Sequence, residues 1–294
     1  MQTTRRQFIQ SGLICAASMT VSPDLAVADD QPKRRAHQAI AEIQQAVSIG
    51  FQLYTVRGEL AGNVPDTIKT LAQIGYHGVE FWDYKGTPNV YQHYSAADLR
   101  KILDENGLKC CGMHVTLEAL SDDKLKRTIE NNQTLGNIYL NLVMAPALMK
   151  SESGIGELAL LLNKVSTECQ AQSMVAGYHC HAFDFAKING HFALEILFGQ
   201  LKPEINMQLD VGNCLSGGGD PIAMFKEFPG RSWTVHIKEY QDKTFDSDFY
   251  KEVFRLCETT CATKWYIVEM GGNDGTGFDV PRQALAKLHS LGKS

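Results

Sequence analysis

Little in this sequence points toward nucleic acid or lipid. Lysine and arginine total 28 against 33 aspartates and glutamates, for a formal net charge of −5. Affinity for nucleic acid comes mostly from cations set against phosphates, and a net acidic chain lacks that footprint. Beyond the N-terminus no apolar run approaches the ~20 residues needed to cross a bilayer. No CxxC pair occurs, which removes the usual thiolate zinc site. One of the eight cysteines, Cys15, falls in the N-terminal segment; Cys110, Cys111, Cys169, Cys180, Cys214, Cys257 and Cys261 follow. An odd number spread over a long chain is not a disulfide framework. The first strand-like run is followed by no glycine-rich dinucleotide turn. The one glycine run, Ser216-Gly217-Gly218-Gly219, has no Lys or Arg beside it. It reads as a mobile connector rather than a phosphate cradle. What is present is globular: 44% apolar and 21% charged residues, which argues against long disorder.

Residues 1–28 read as a targeting segment. Arg5 and Arg6 open it, an apolar stretch follows from Phe8 to Val21, and Ala26-Val27-Ala28 supplies a small-residue end. That is the pattern of a cleaved export signal. Thr4-Arg5-Arg6-Gln7-Phe8-Ile9 resembles a twin-arginine signal, read by a receptor for folded cargo. The expected destination is the periplasm. No lipid anchor is expected, because Cys15 lacks the small residue before it. Thiols that fold in a reducing cytoplasm before export fit this route. Residues 29–47 read as a polar linker and a short leading helix.

From residue 48 to the end, strand-like and helix-like runs alternate. Strands are expected at 49–56, 78–82, 109–115, 139–145, 174–180, 205–211, 233–238 and 265–270. Helices with 3.6-residue apolar spacing are expected at 67–74, 95–106, 122–135, 156–173, 194–201, 221–228, 248–260 and 281–291. Each unit takes about 30 residues, the size of a β-α step. Trp265-Tyr266-Ile267-Val268 is apolar on both faces, as in a parallel sheet covered by helices. Eight such units favour an α/β fold of one closed (β/α)8 TIM barrel over an open sheet, with no second domain.

In such a barrel, chemistry lies where strands end. His179, Asp210, His236 and Glu269 stand at the ends of strands five to eight, separated by 31, 26 and 33 residues. Each gap is one β-α unit, so the four side chains can converge at one rim. Two imidazoles and two carboxylates suit one divalent ion, with Mn, Zn, Co and Mg all open. Buried after apolar strands, Asp210 and Glu269 need a cation or donors. Taken singly, either histidine also fits a hydrogen-bonded core residue, Asp210 a turn cap, and Glu269 an ion-pair partner of Lys238.

Several stretches carry a family likeness. They are Phe51-Gln52-Leu53-Tyr54-Thr55-Val56-Arg57, Ile74-Gly75-Tyr76-His77-Gly78-Val79-Glu80 and Gly177-Tyr178-His179-Cys180-His181. Gln208-Leu209-Asp210-Val211-Gly212-Asn213, Val235-His236-Ile237-Lys238-Glu239 and Tyr266-Ile267-Val268-Glu269 continue it. Together they resemble the sugar phosphate isomerase/epimerase family, the xylose isomerase-like TIM barrels. The resemblance implies a metal held by Glu, Asp, His and Glu from strands five to eight. Asp210, His236 and Glu269 fit the last three places. His179 stands where many epimerases carry Glu, as in a subgroup with a Tyr-His-Asn-His stretch. That departure weakens a symmetric two-glutamate proton shuttle. His179 keeps the ligand register; His181, two positions later on the same side of the strand, is the alternative ligand.

The activity implied is isomerisation or epimerisation of a sugar or keto-sugar by proton transfer beside a carbonyl, through an enediolate. Glu269 is the expected base, and Lys238 or His181 the acid. Glu80 and His114 are expected to hold sugar hydroxyls, with Asn213 beside them. Trp82, Phe183 and Trp233 are candidates to stack on a sugar face. Elimination from a 3-keto-glycoside by a lyase or hydratase shares the same early step. The export signal favours keto-sugars or keto-glycosides over phosphorylated, cytoplasmic sugars. An endonuclease of this fold needs His three residues after the strand-six Asp, where this chain has Asn213. A secreted sugar-binding barrel without catalysis is the non-enzymatic rival.

Overall fold

The computed structural model describes residues 46–270 and 277–294. The expected leader, linker and leading helix lie outside them, apart from Ala46 and Val47. Eight parallel strands form one sheet: β1 (Ser48–Gln52), β2 (Gly78–Tyr84), β3 (Lys109–Val115), β4 (Tyr139–Leu142), β5 (Val175–His179), β6 (Asn206–Gln208), β7 (Thr234–Ile237) and β8 (Trp265–Val268). β1 pairs with both β2 and β8, so the sheet curls on itself. The seam between β6 and β7 is held by a parallel bridge from Asp210 to His236, with His236 N donating to Leu209 O at 3.0 Å. The result is a nearly closed (β/α)8 barrel.

Eight main helices follow the strands in turn: α1 (Val64–Ile74), α2 (Ala96–Glu105), α3 (Leu125–Leu135), α4 (Glu152–Gln170), α5 (Ala193–Gln200), α6 (Pro221–Glu227), α7 (Asp248–Thr259) and α8 (Asp279–Ser290). Local chemistry sets their ends. Ser95 and Asp98 form a reciprocal capping box at the start of α2, each satisfying a free N–H. Asp220 accepts from Ile222 N and Ala223 N ahead of Pro221, the first residue of α6. Gly75 and Gly136 end α1 and α3 in left-handed backbone, φ 114° and 74°, where a Cβ is costly. Each helix buries one stripe; in α7 it comprises Tyr250, Val253, Phe254, Leu256 and Cys257. Among the described residues no helix is long and apolar enough to cross a membrane. The seven described cysteines are free and buried.

Several strands stop sooner than their apolar runs suggest. β1 ends at Gln52, whose side chain accepts from Tyr54 N (3.1 Å) and starts a 3-10 turn over Leu53–Val56. β6 ends at Gln208, and Asp210 caps a short helix, Val211–Ser216. The last residues of these strands peel away because their side chains serve the loops. Two hairpins were not foreseen, Asn89–Tyr91 with Tyr94–Ser95 and Lys187–Ile188 with His191–Phe192. The second turns on Asn189-Gly190, both at positive φ, a strong hairpin signal. The glycine run after Asp210 is not slack. A Cβ at Gly217 would lie 2.5 Å from Ala182 O, and one at Gly219 2.5 Å from Phe185 Cδ1, so the run is packed against the turn after β5.

Barrel interiors are usually filled by branched apolar side chains, but this one carries a polar layer. Asn206 Nδ2 donates to Asn141 Oδ1 (3.1 Å) and Thr234 Oγ1 (2.8 Å), and Asn206 Oδ1 accepts from Trp233 N (2.9 Å). All of these groups except Trp233 are fully buried. Asn206→Ala strips partners from three of them, each a loss of roughly 1–3 kcal/mol when unreplaced. Urea unfolding is expected to show stability lowered by about 2–4 kcal/mol, since relaxation recovers part of the loss.

Candidate metal centre and active site

The site stands on the polar layer. Strand alternation places Asn206, Gln208 and Asp210 on one side, and Thr234, His236 and Lys238 on one side of the neighbouring strand. Glu80, from β2, is fully buried beneath them. Its Oε2 lies 2.6 Å from His236 Nε2 and 3.1 Å from His114 Nε2. Gln52 donates to Glu80 Oε2, and Gln208 to Oε1, each at 2.8 Å. Gly112 leaves the room: a Cβ there would sit 2.1 Å from Glu80 Oε1. Burial alone would raise the Glu80 carboxyl, but the charges of His114 and His236 hold it well below the usual range.

His236 thus faces two ways. Nε2 meets Glu80, while Nδ1 lies 2.9 Å from Glu269 Oε2 and 3.9 Å from Asp210 Oδ2. Burial pushes this ring down, yet Glu80 and Glu269 outweigh it and lift it to about 10. Asp210 divides its carboxylate between two tasks. Oδ1 accepts from Asn213 N at 2.7 Å, while Oδ2 lies 2.8 Å from Lys238 Nζ. The second contact is ionic, without the direction of a good hydrogen bond. Turn-capping and site-facing readings of Asp210 are therefore both realised, one per oxygen. Lys238 also reaches Glu269 Oε2 at 3.7 Å. Burial opposes its charge, but Asp210 and Glu269 raise it above its ordinary value. Burial raises Asp210, with Lys238 only partly offsetting it. For Glu269, burial is overcome by the His236 hydrogen bond and Lys238, which hold it low.

His179 completes the group. It is 2% exposed, and its Nδ1 has no hydrogen-bond partner. Burial holds it well below the ordinary histidine value, leaving a neutral imidazole with an unused buried nitrogen. One donor atom each from His179, Asp210, His236 and Glu269 lies within 4.8 Å of the others, and His114, His179 and His236 meet the same limit. An orphaned imidazole beside one buried and one half-buried carboxylate is a donor set that fits a divalent ion.

The remaining candidates separate clearly. His181 lies edge-on to His179 (4.9 Å) and stacks on Phe183 (5.5 Å). Its Nδ1 is also unpartnered, and burial pushes it down to about 4. His114 is 3% exposed and its Nε2 lies 2.6 Å from Gln208 Oε1. It and Glu80 sit inside the barrel beneath the ring of His236, not on the open mouth. Asn213 Nδ2 donates to Cys180 O (3.1 Å) and ties two loops together. Trp82 is half-buried at the mouth. Trp233 corrects the expectation of sugar stacking: it precedes β7, at the end of the barrel away from the site. Gln52 and Gln208, within the family-like stretches, act as the donors to Glu80, a role the sequence does not announce. The same holds for Gly212, where a Cβ would lie 2.5 Å from Lys238 Cγ.

The profile of the xylose isomerase-like TIM barrels matches residues 68–289. The chain belongs to this family. Solved structures agree at the level of fold. A sugar phosphate isomerase/epimerase from Parabacteroides distasonis superposes with a TM-score of 0.73 at 20% identity, covering 84% of this chain and 95% of that one. The 3-keto-D-glucoside 4-epimerase of E. coli gives 0.58 at 14% identity, covering 83% and 99%. A D-psicose 3-epimerase gives 0.59 at 12%, covering 84% and 100%. Among proteins of curated function none matches the chain. In this chain the four donor groups meet at the ends of β5–β8.

Proposed function

We propose that this protein is a divalent-metal-dependent isomerase or epimerase acting on a sugar or keto-sugar by proton transfer beside a carbonyl. The observation that carries this reading is the convergence of His179, Asp210, His236 and Glu269. A divalent ion held by those four would supply Lewis acidity to the substrate carbonyl and its neighbouring hydroxyl. Glu269 is the base. Its side chain is 16% exposed, whereas those of Asp210 and His236 are fully buried, so it is the carboxylate a substrate in the mouth can approach. Lys238, beside it, returns the proton or assists a departing oxygen. His181 is the second candidate acid, on the β5 side of the mouth.

The likeness to a 3-keto-D-glucoside 4-epimerase supports keto-glycosides as the substrate class. It also keeps the elimination reading, in which the same enediolate expels a β-substituent. Under this proposal the protein is exported, as Arg5-Arg6 and Ala26-Val27-Ala28 suggest, and acts in the periplasm. The test is incubation of the full protein with free and 3-keto sugars in D2O, with Mn, Co, Zn or Mg supplied. Deuterium uptake at a carbon next to the carbonyl, followed by NMR, is the expected result. No exchange across the panel would refute the reaction class.

A further inference from the structure

Beyond the four-residue centre, the mouth has a second feature. β2 and β3 slip twice: once between Val79 and Glu80, where β3 carries Cys111 as an extra residue, and again beyond Phe81 with Met113, where the next pair is Tyr84 with Val115. Three residues of β2 therefore span two of β3, a bulge that turns Trp82 and Asp83 out of register. Bulges next to active sites re-aim side chains in this way. Asp83 sits at φ 57°, in left-handed backbone, which is uncommon for a residue other than glycine. Strain of that kind tends to be kept where a side chain must point in one direction.

The bulge faces the Asn89–Ser95 hairpin across a cavity of about 280 Å³ lined by Trp82, Asp83, Lys85, Tyr91 and Gln92 among others. Gln92 is a second left-handed residue, φ 50°. The space is near the lower limit of ordinary ligand pockets, roughly 300 Å³, and suits one small polar ring. Its walls are of two kinds. Trp82 stands between Tyr54, edge-on at 5.7 Å, and Tyr91, tilted at 5.4 Å, and Tyr54 is 43% exposed. The other lining groups include an acceptor and a donor, Asp83 Oδ2 and Lys85 Nζ, 3.2 Å apart and half-exposed. Aromatic rings together with a carboxylate–ammonium pair match a sugar ring, with apolar C–H faces and hydroxyls that both donate and accept. Trp82 lies two residues beyond Glu80, toward the C-terminal end of β2.

We propose that the β2 bulge and its hairpin form a second sugar-binding subsite, which holds the distal ring of a glycoside while the first ring lies over Glu269. This rests on the functional reading above and narrows its substrate class from sugars and keto-glycosides in general to two-ring glycosides. Titration calorimetry with cellobiose, maltose and glucose on metal-supplied Glu269→Gln protein tests it without turnover. At least one disaccharide is expected to bind tenfold or more tightly than glucose. Tyr91→Ala and Asp83→Asn, each added to that background, should cut the preference to threefold or less. Should Tyr91→Ala fail to fold, Asp83→Asn decides, since Asn tolerates the left-handed backbone. Equal affinity for one ring and two, or a preference that survives both substitutions, overturns the subsite. The deuterium experiment is independent. Exchange without disaccharide preference leaves the reaction and removes the subsite; a Tyr91-dependent preference without exchange does the reverse.

Discussion

Glu269→Gln is expected to lower turnover by at least ~10³-fold, within the range for loss of a positioned general base, while the protein stays folded. The substitution keeps the shape of the side chain but removes its charge. Three consequences combine. The group that takes the proton is gone. His236 Nδ1, 2.9 Å from Oε2, loses an anionic partner, and Lys238 loses one of its two carboxylates. Circular dichroism and thermal unfolding should remain close to wild type, because Glu269 is the most exposed carboxylate of the group. With the divalent ion supplied in excess to offset the weakened fourth ligand, sugar affinity by calorimetry should survive, since the amide oxygen still fills the place. Turnover retained in this variant would assign the proton to another residue. A protein that binds sugar but shows no turnover even before mutation would instead be the non-catalytic barrel.

The second large effect is expected deeper in the barrel. Glu80→Gln should weaken affinity for a divalent ion by about 10–100-fold, the usual loss when a carboxylate supporting a ligating histidine is removed. It should also lower stability by about 3–5 kcal/mol, the range for breaking a buried ion pair. Glu80 never reaches the open mouth. It acts by accepting from His236 Nε2 at 2.6 Å, which leaves Nδ1 turned toward Asp210 and Glu269. A Gln side chain can present an N–H to that nitrogen, which favours the wrong tautomer or rotates the ring. Metal titration followed by thermal unfolding reads both effects. An affinity unchanged within twofold would mean that Glu80 does not set the orientation of His236.

The barrel was legible because its signals are repeated. Eight apolar strands at unit spacing and eight amphipathic stripes each overdetermine the same answer, and the helices begin and end within a few residues of their expected limits. Strand ends were less legible, because Gln52 and Asp210 spend their side chains capping the following turns. The four converging donors were legible through one-unit spacing alone. Their support was not. Gln52 and Gln208 look like ordinary polar residues until strand alternation aligns Gln208 with Asp210, and Gly112 and Gly212 carry meaning only once Glu80 and Lys238 lie against them. Glu80 lies fully buried rather than at the open rim, a difference the sequence does not show, since it places a residue on a strand end but not at a depth in the barrel. Trp233 misled for a related reason: an aromatic next to a functional strand can lie at either end of it.

The measurement that bears most directly on the central claim is the metal content of the purified protein, with thermal unfolding before and after chelation and on titration with Mn, Zn, Co and Mg. The account predicts about one equivalent of a divalent ion per chain. At 100-fold excess over Kd that ion should add about 2.7 kcal/mol of stability, raising Tm by several degrees, and Asp210→Asn should abolish both the content and the shift. A protein that carries no divalent ion, and whose Tm responds to none of the four, would contradict it.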